Sequence, residues 1–304
     1  MAKQGKLQIK LEYLLARSVL GFFALLPLPI SLRVGRLLSR LGFLRSRLRR
    51  TGERNLELAF PELTAAERRG LLRGSFESLG RLLGVFSRFT KADVDCLKDS
   101  IDCEGLEWLE AALKKGRGAI LFTGHVGAWE LSSFALSLFG HPLSFLVRRV
   151  DNPKIEAMID RARTHLGNRT IDKRSAAREM LQILRDNGTL GILVDLNTLD
   201  REAIFVDFFG RPAATTFLVA KLALRTGAEV LPVFAPWDED RKRFLLKIDR
   251  PLTIERSRDE QEDVRRLTQQ YTRVVEDYVR RYPDQWLWIH RRWKTRPPGE
   301  PEIY

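Results

Sequence analysis

Residues 116–136, "GRGAILFTGHVGAWELSSFAL", decide how the rest of the chain is read. Ala119–Thr123 is a charge-free apolar run of strand length, stopped by Gly124, and a helical pattern carrying Glu130 follows. A strand that turns at a glycine into a helix is the repeating unit of α/β folds.

The same alternation recurs downstream. Strands are predicted at Ala119–Thr123, Leu143–Val147, Gly191–Asp195, Val230–Phe234 and Phe244–Ile248. Helices are predicted at Ile155–His165, at Ala176–Arg185 closed by Gly188, and at Phe217–Arg225. A last helix is written by Val264, Leu267, Tyr271, Val274, Val275 and Tyr278 and stops before Pro283. The pattern predicts an α/β fold with a largely parallel central sheet flanked by helices. Ahead of it, Thr64 and Glu67 have capping-box spacing, and Leu71, Leu72, Phe76, Leu79, Leu82, Leu83 and Phe86 form an apolar stripe suited to core packing.

The first fifty residues read differently. "SVLGFFALLPLPI" (18–30) carries no charge but is shorter than the roughly 20 apolar residues of a spanning helix. Lys3, Lys6 and Lys10 precede it, and Arg33, Arg36, Arg40, Arg45, Arg47, Arg49 and Arg50 follow. Basic flanks on both sides favour a helical element lying in one leaflet over a span. The chain divides accordingly into a membrane-associating segment, 1–50, and a globular domain, 51–304. The 304 residues carry a formal net charge of +13, which calls for an acidic partner: nucleic acid, an anionic membrane surface or a phosphorylated substrate. Neither a helix-turn-helix nor an RNA-binding signature accompanies the arginines, which argues against nucleic acid. Cys96 and Cys103 offer neither zinc spacing nor a disulfide framework, so no metal is expected.

His125 falls just past a strand, at the carboxyl edge of the sheet where open α/β folds bind ligands. Gly124 and Gly127 would let backbone approach a substrate there. Five positions turn a helix by about 140°, so His125 can meet Glu130 only from the turn ahead of the helix. From there Glu130 could hold one imidazole nitrogen and leave the other as a general base, with the nucleophile supplied by the substrate. Spacing alone leaves a structural histidine equally open.

"GHVGAWE" resembles the HxxxxE motif of the bacterial lipid A biosynthesis acyltransferases, whose relatives act on phosphatidylinositol mannosides. Four more segments resemble that family in order: "NLELAFPELTAAERRGLL" (55–72), "VRRVDNPKIEAMIDRART" (147–164), "GILVDLN" (191–197) with "FVDFFGRPAATT" (205–216), and "YPDQWLWIHRRWK" (282–294). The Phe–Pro–Glu–Gly–Thr–Arg loop of lysophosphatidate acyltransferases is absent from the sequence.

The resemblance implies a glycerolipid acyltransferase-like fold at the cytoplasmic face of a bacterial inner membrane. It implies transfer of a fatty acyl group from an acyl carrier protein or coenzyme A thioester to a hydroxyl of a lipid A precursor or another glycolipid. No cofactor and no covalent acyl-enzyme are implied. His125 is the expected base and Glu130 its partner. Arg148 and Arg163 are candidates for phosphates or a developing oxyanion, with Arg149 and Asn152 beside them. Asp195 would assist His125 or pair with Arg163. Phe208 and Phe209 would shape an acyl tunnel. The tryptophans and arginines of 282–294 suit a headgroup interface or stacking on single-stranded nucleic acid.

Overall fold

Five charge-free residues form the central strand because both of their faces are covered. Ile120 and Phe122 point to one side of the sheet and Ala119 and Leu121 to the other, and all four are buried. In the computed structural model, which describes residues 5–44, 46–89, 94–172, 176–199 and 203–304, this strand lies in the middle of an eight-stranded sheet. Lys3, Arg45 and the side chain of Cys96 fall outside the described residues.

The strands are β1 (Ile101–Glu104), β2 (Ala119–Thr123), β3 (Ser144–Val147), β4 (Arg169–Asp172), β5 (Thr189–Leu193), β6 (Ala203–Phe208), β7 (Arg211–Thr216), β8 (Glu229–Phe234), β9 (Trp237–Asp238) and β10 (Arg243–Ile248). The sheet order is β1-β10-β8-β2-β5-β3-β4, with β9 on β10. From β8 to β4 every pairing is parallel, and β10 turns antiparallel to β8. The largely parallel sheet is therefore as expected. β2 and β5 are neighbours with Thr123 opposite Leu193, so the residues two places beyond each strand, His125 and Asp195, leave the sheet side by side.

Helices cover both faces. On one side lie α9 (Ala176–Arg185), α10 (Leu218–Thr226) and α11 (Glu260–Arg281). On the other lie α4 (Ala65–Phe86), α5 (Val94–Asp99), α6 (Leu106–Leu113) and α7 (Trp129–Leu138). The Thr64 cap and its reciprocal bond with Glu67 form at the start of α4. α8 (Pro153–Thr164) follows β3. β6 and β7 form a separate hairpin, turned by Phe209 and Gly210, both at positive φ. β1, β4, β9 and the β6–β7 hairpin are not predicted; the short strands β1 and β4 carry polar residues and lack the apolar run by which β2, β3, β5, β8 and β10 are read.

The first fifty residues fold as α1 (Lys6–Leu25), α2 (Leu28–Phe43) and the start of α3 (Ser46–Ala59). Among the described residues no helix is long and apolar enough to cross a membrane. Pro27 separates α1 from α2. α2 crosses α4 backbone to backbone: a Cβ built on Gly35 would stand 2.1 Å from the Gly80 carbonyl oxygen, and one on Gly80 2.2 Å from that of Gly35. α1 is tied down through Asn152, whose side-chain nitrogen donates to the Ile9 carbonyl at 3.0 Å and to Glu12 at 2.9 Å.

The α2–α4 crossing admits no side chain at Gly35, so Gly35→Ala is expected to lower unfolding stability by about 2 kcal/mol through overpacking. Gly21→Ala in α1, with open space around its Cβ, is expected to leave stability unchanged or raised. Urea unfolding of both variants checks the contrast.

Candidate active site

His125 sits in the turn between β2 and α7, four residues ahead of the first helical residue, Trp129. The turn is pinned to both neighbouring segments. Gly127 N–H donates to the Gln285 carbonyl at 2.9 Å, Ala128 N–H to that of Ala235 at 2.8 Å, and Leu287 N–H to that of His125 at 3.1 Å. Gly127 has φ +63°, and a Cβ there would meet the Ala235 oxygen at 2.4 Å. A Cβ on Gly124 would stand 3.0 Å from the Asp195 carboxylate. Both glycines thus let the chain approach itself, and their expected approach to a substrate is corrected on that ground.

The imidazole Nδ1 lies 2.7 Å from Asp195 Oδ1, and His125 N–H donates to Asp195 Oδ2 at 2.7 Å. Trp286 Nε1 donates to the same Oδ2 at 2.7 Å. Burial alone would raise the Asp195 pKa. The neighbouring His125 charge, its hydrogen bond, the Trp286 donor and the His125 backbone outweigh it and hold the value at about 2. An ionised carboxylate only accepts, so Nδ1 carries the proton and Nε2 of the neutral ring keeps its lone pair. The Trp129 ring packs on the imidazole, with centroids 4.9 Å apart.

The expected bond from Glu130 to His125 is not formed. Glu130, in the first turn of α7, instead takes both ends of Arg163, from Nε at 2.9 Å and Nη2 at 2.5 Å. The Arg163 guanidinium, in the last turn of α8, loses stability as a cation through burial, but the Glu130 bond and charge more than restore it, and its pKa is raised. Asp195 takes the place expected of Glu130 because it leaves the neighbouring strand at the same height as His125.

A cavity of about 500 Å³ lies beside His125, lined by α7, by the sheet, by the loop after β5 and by Thr216 and Leu218 where β7 meets α10. Its mouth holds His125, Trp129, Glu130, Arg148, Arg163 and Asn197, and its depth is lined by Leu121, Leu136, Leu143, Phe145 and Gly191. Arg148 is exposed at the mouth. Arg149 points away and pairs with Asp172 at 3.0 Å. Asn152 is 2% exposed and caps α8 while holding α1, so its expected substrate role gives way to a structural one. Phe208 and Phe209 are also corrected. They lie in an aromatic cluster with Trp286, Trp288, Trp293 and Phe60, away from the cavity lining.

The C-terminal segment is interior. Trp286, Trp288 and Trp293 are at most 1% exposed, which removes both the headgroup and the stacking readings. Arg292, fully buried, donates to the Ala214 carbonyl at 2.8 Å and to Thr215 Oγ1 at 2.5 Å. Trp286 is the site residue that sequence reasoning missed, since nothing in its spacing distinguishes it from Trp288 or Trp293. Among the described residues no group of three metal-ligating side chains occurs.

A family model for bacterial lipid A biosynthesis acyltransferases matches residues 3–295. The chain is 25% identical over 276 residues to the lipid A biosynthesis myristoyltransferase of Escherichia coli K12, covering 91% of this chain and 83% of the relative. It is 28% identical over 298 residues to the lauroyltransferase of the same organism, covering 94% and 92%. With the palmitoleoyltransferase identity is 27% over 290 residues, again covering 94% and 92%. The chain is an acyltransferase. It belongs to the bacterial lipid A biosynthesis acyltransferase family.

His290 supports the site from behind, its Nε2 accepting the Asn197 N–H at 3.0 Å. Burial, against the opposing pull of Asp195, lowers its pKa from 6.5 to about 4. Between those values the unfolded chain binds the extra proton. Its contribution is therefore complete above about pH 6.5 and lost as pH falls through about 4, amounting to at most about 3 kcal/mol. His290→Gln is expected to flatten that part of the stability–pH curve, measured by urea unfolding across the window.

Proposed function

We propose that the chain transfers a fatty acyl group from a thioester of acyl carrier protein or coenzyme A to a hydroxyl of a lipid A precursor. The observation that carries this reading is the His125–Asp195 pair at the mouth of an apolar cavity in a chain of this family.

His125 Nε2 takes the proton of the acceptor hydroxyl as its oxygen attacks the thioester carbonyl. The tetrahedral oxyanion collapses, the carbon–sulfur bond breaks, and His125 returns the proton to the departing thiolate, which leaves as the thiol with the base restored. Asp195 keeps the ring in the tautomer that makes this possible and stabilises the imidazolium formed on the way. The nucleophile belongs to the acceptor, so no acyl-enzyme intervenes. Glu130 does not polarise His125 in this scheme; it holds Arg163 against the cavity wall. Arg163 spends two of its five N–H bonds on Glu130 and keeps three for the oxyanion or an acceptor phosphate. Arg148 adds a solvent-accessible cation at the mouth. A cavity of this size and lining suits an acyl chain.

The same reading places the enzyme on the cytoplasmic face of a bacterial inner membrane. Among the described residues, twelve of the fourteen exposed large apolar side chains lie in α1, α2 and the residue after α2, among them Leu11, Leu15, Phe22, Leu37 and Leu41. Exposed arginines, including Arg17, Arg33 and Arg40, stand among them. Apolar side chains mixed with cations suit the headgroup boundary of an anionic leaflet. Val150, exposed beside the Asn152 anchor of α1, continues the patch toward Arg148 and the cavity mouth.

Mass spectrometry of the product made from a defined acyl thioester and a lipid A precursor tests the reaction. His125→Ala and Asp195→Asn are each expected to cut turnover by about 10²–10⁴. Full turnover in a folded His125→Ala protein would rule the scheme out, and acylation of a phosphatidylinositol mannoside in preference to the lipid A precursor would replace the acceptor. Leu15→Asp combined with Leu37→Asp is expected to reduce cosedimentation with vesicles containing anionic lipid at least tenfold, without loss of folded structure by circular dichroism.

A further inference from the structure

Outside α1, α2 and the residue after α2, two large apolar side chains are exposed among the described residues: Val150 at 42% and Leu199 at 64%. Single exposed apolar residues are ordinary on a protein surface, but these two share one place. Val150 lies three residues past β3 and Leu199 six past β5. Those strands are parallel neighbours with Phe145 opposite Gly191, so they end level, at Val147 and Leu193. Both side chains therefore follow the carboxyl edge of the sheet, the edge that carries His125. Leu199 also lines the cavity, and Arg148, exposed at the mouth, stands two residues from Val150.

The loops that carry them are bonded in place. Asn197 N–H donates to His290 Nε2 at 3.0 Å, and its side chain exchanges two bonds with Thr295, at 3.0 and 2.8 Å. Thr198 N–H donates to the Ala214 carbonyl at 3.3 Å. Val150 N–H donates to Glu156 at 2.7 Å, and Asn152 caps α8. The exposure of Leu199 and Val150 is thus a property of the fold.

α1 lies at the same edge, since Asn152 donates to Ile9 and Glu12. The two residues from Val150 to Asn152 span at most about 7 Å of chain. An amphipathic helix buries its apolar face about 5–10 Å into a leaflet, so Val150 falls within the layer that α1 would occupy.

We propose that the carboxyl edge of the sheet is itself a membrane contact. Leu199 and Val150 enter an anionic leaflet beside α1, Arg148 meets its headgroups, and the acceptor passes sideways from the leaflet into the mouth. The proposal rests on the membrane reading above and adds which way the domain faces. A leaflet fits this edge better than a protein partner because the surface continues that of α1 and sets apolar tips beside a cation.

Full-length Leu199→Trp and Val150→Trp are mixed with vesicles of phosphatidylglycerol and phosphatidylcholine brominated in its acyl chains. The emission each adds to that of the wild type is followed. Insertion to about 5–10 Å predicts that this added emission falls by at least about half relative to unbrominated vesicles. Lys114→Trp, exposed at the opposite edge ahead of β2, is expected to lose none. Leu199→Glu is expected to weaken cosedimentation about tenfold, the worth of one leucine side chain withdrawn from an apolar layer. Absence of quenching at either rim position, equal quenching of Lys114→Trp, or unchanged cosedimentation of Leu199→Glu overturns the proposal. So does a dimer in solution that Leu199→Glu dissociates, which gives the edge to a second copy of the chain. Wild-type cosedimentation judges the membrane reading separately. A chain that does not pellet fails both, whereas one that pellets with an unquenched rim fails this proposal alone.

Discussion

The site depends on one buried carboxylate having enough donors. Asp195 is 2% exposed, and an ionised carboxyl in that position is stable only if its lone pairs are met. Three donors meet them: the His125 ring, the His125 backbone and the Trp286 indole. Two come from the turn after β2 and one from the C-terminal segment, while the carboxylate itself follows β5. The same carboxylate therefore orients the imidazole and ties the segment after α11, through Trp286, to the strand ends. Removing any one donor leaves charge without solvent, so the electrostatics of the site and the docking of the C-terminus are one constraint.

That constraint explains why the C-terminal segment is so aromatic. Indoles fill space around the sheet edge while offering a single N–H, and here each of two reaches a buried acceptor: Trp286 the carboxylate and Trp288 the Pro283 carbonyl at 2.6 Å. Asn55 of α3 closes the arrangement, donating to the Trp288 and His290 carbonyls at 2.6 Å each. α3 is thereby bonded to the segment behind the histidine. A surface reading of "YPDQWLWIHRRWK" fails because composition reports side-chain type and cannot report which tryptophans have a buried acceptor.

The fold was legible in the sequence wherever an element buries both faces. Ala119–Thr123 and Ala176–Arg185 fall where the apolar pattern puts them, whereas β1 and β4, short and partly polar, leave no such mark. His125 was legible from its place after a strand. Asp195 is read as an assistant to His125 or a partner of Arg163, but Glu130 is set in the partner's place, because i to i+5 spacing suggests a local contact while the actual contact follows from strand register. The predicted strand Gly191–Asp195 runs two residues too far; β5 ends at Leu193, opposite Thr123, and it is this register that sets Asp195 beside His125. Glu130 and Arg163 were both read as site residues, and what spacing could not supply was that each is the other's partner.

The two sides of the sheet differ in a way that locates the substrate. Opposite α7, the face is closed by α9, α10 and α11 with large side chains such as Met180, Leu184, Tyr271 and Val275, all buried. On the α7 side, glycine at 191 and serines at 132 and 133 replace bulk where helix and strand would otherwise interlock. A layer of small residues between two well-packed elements is a cavity by construction, since a close-packed interior leaves no comparable space. The cavity begins at the histidine because α7 begins there. The strand–turn–helix of residues 116–136 thus supplies the base at its turn and one wall of the chain-binding groove along its helix. The position of the groove and that of the base are consequences of the same twenty-one residues.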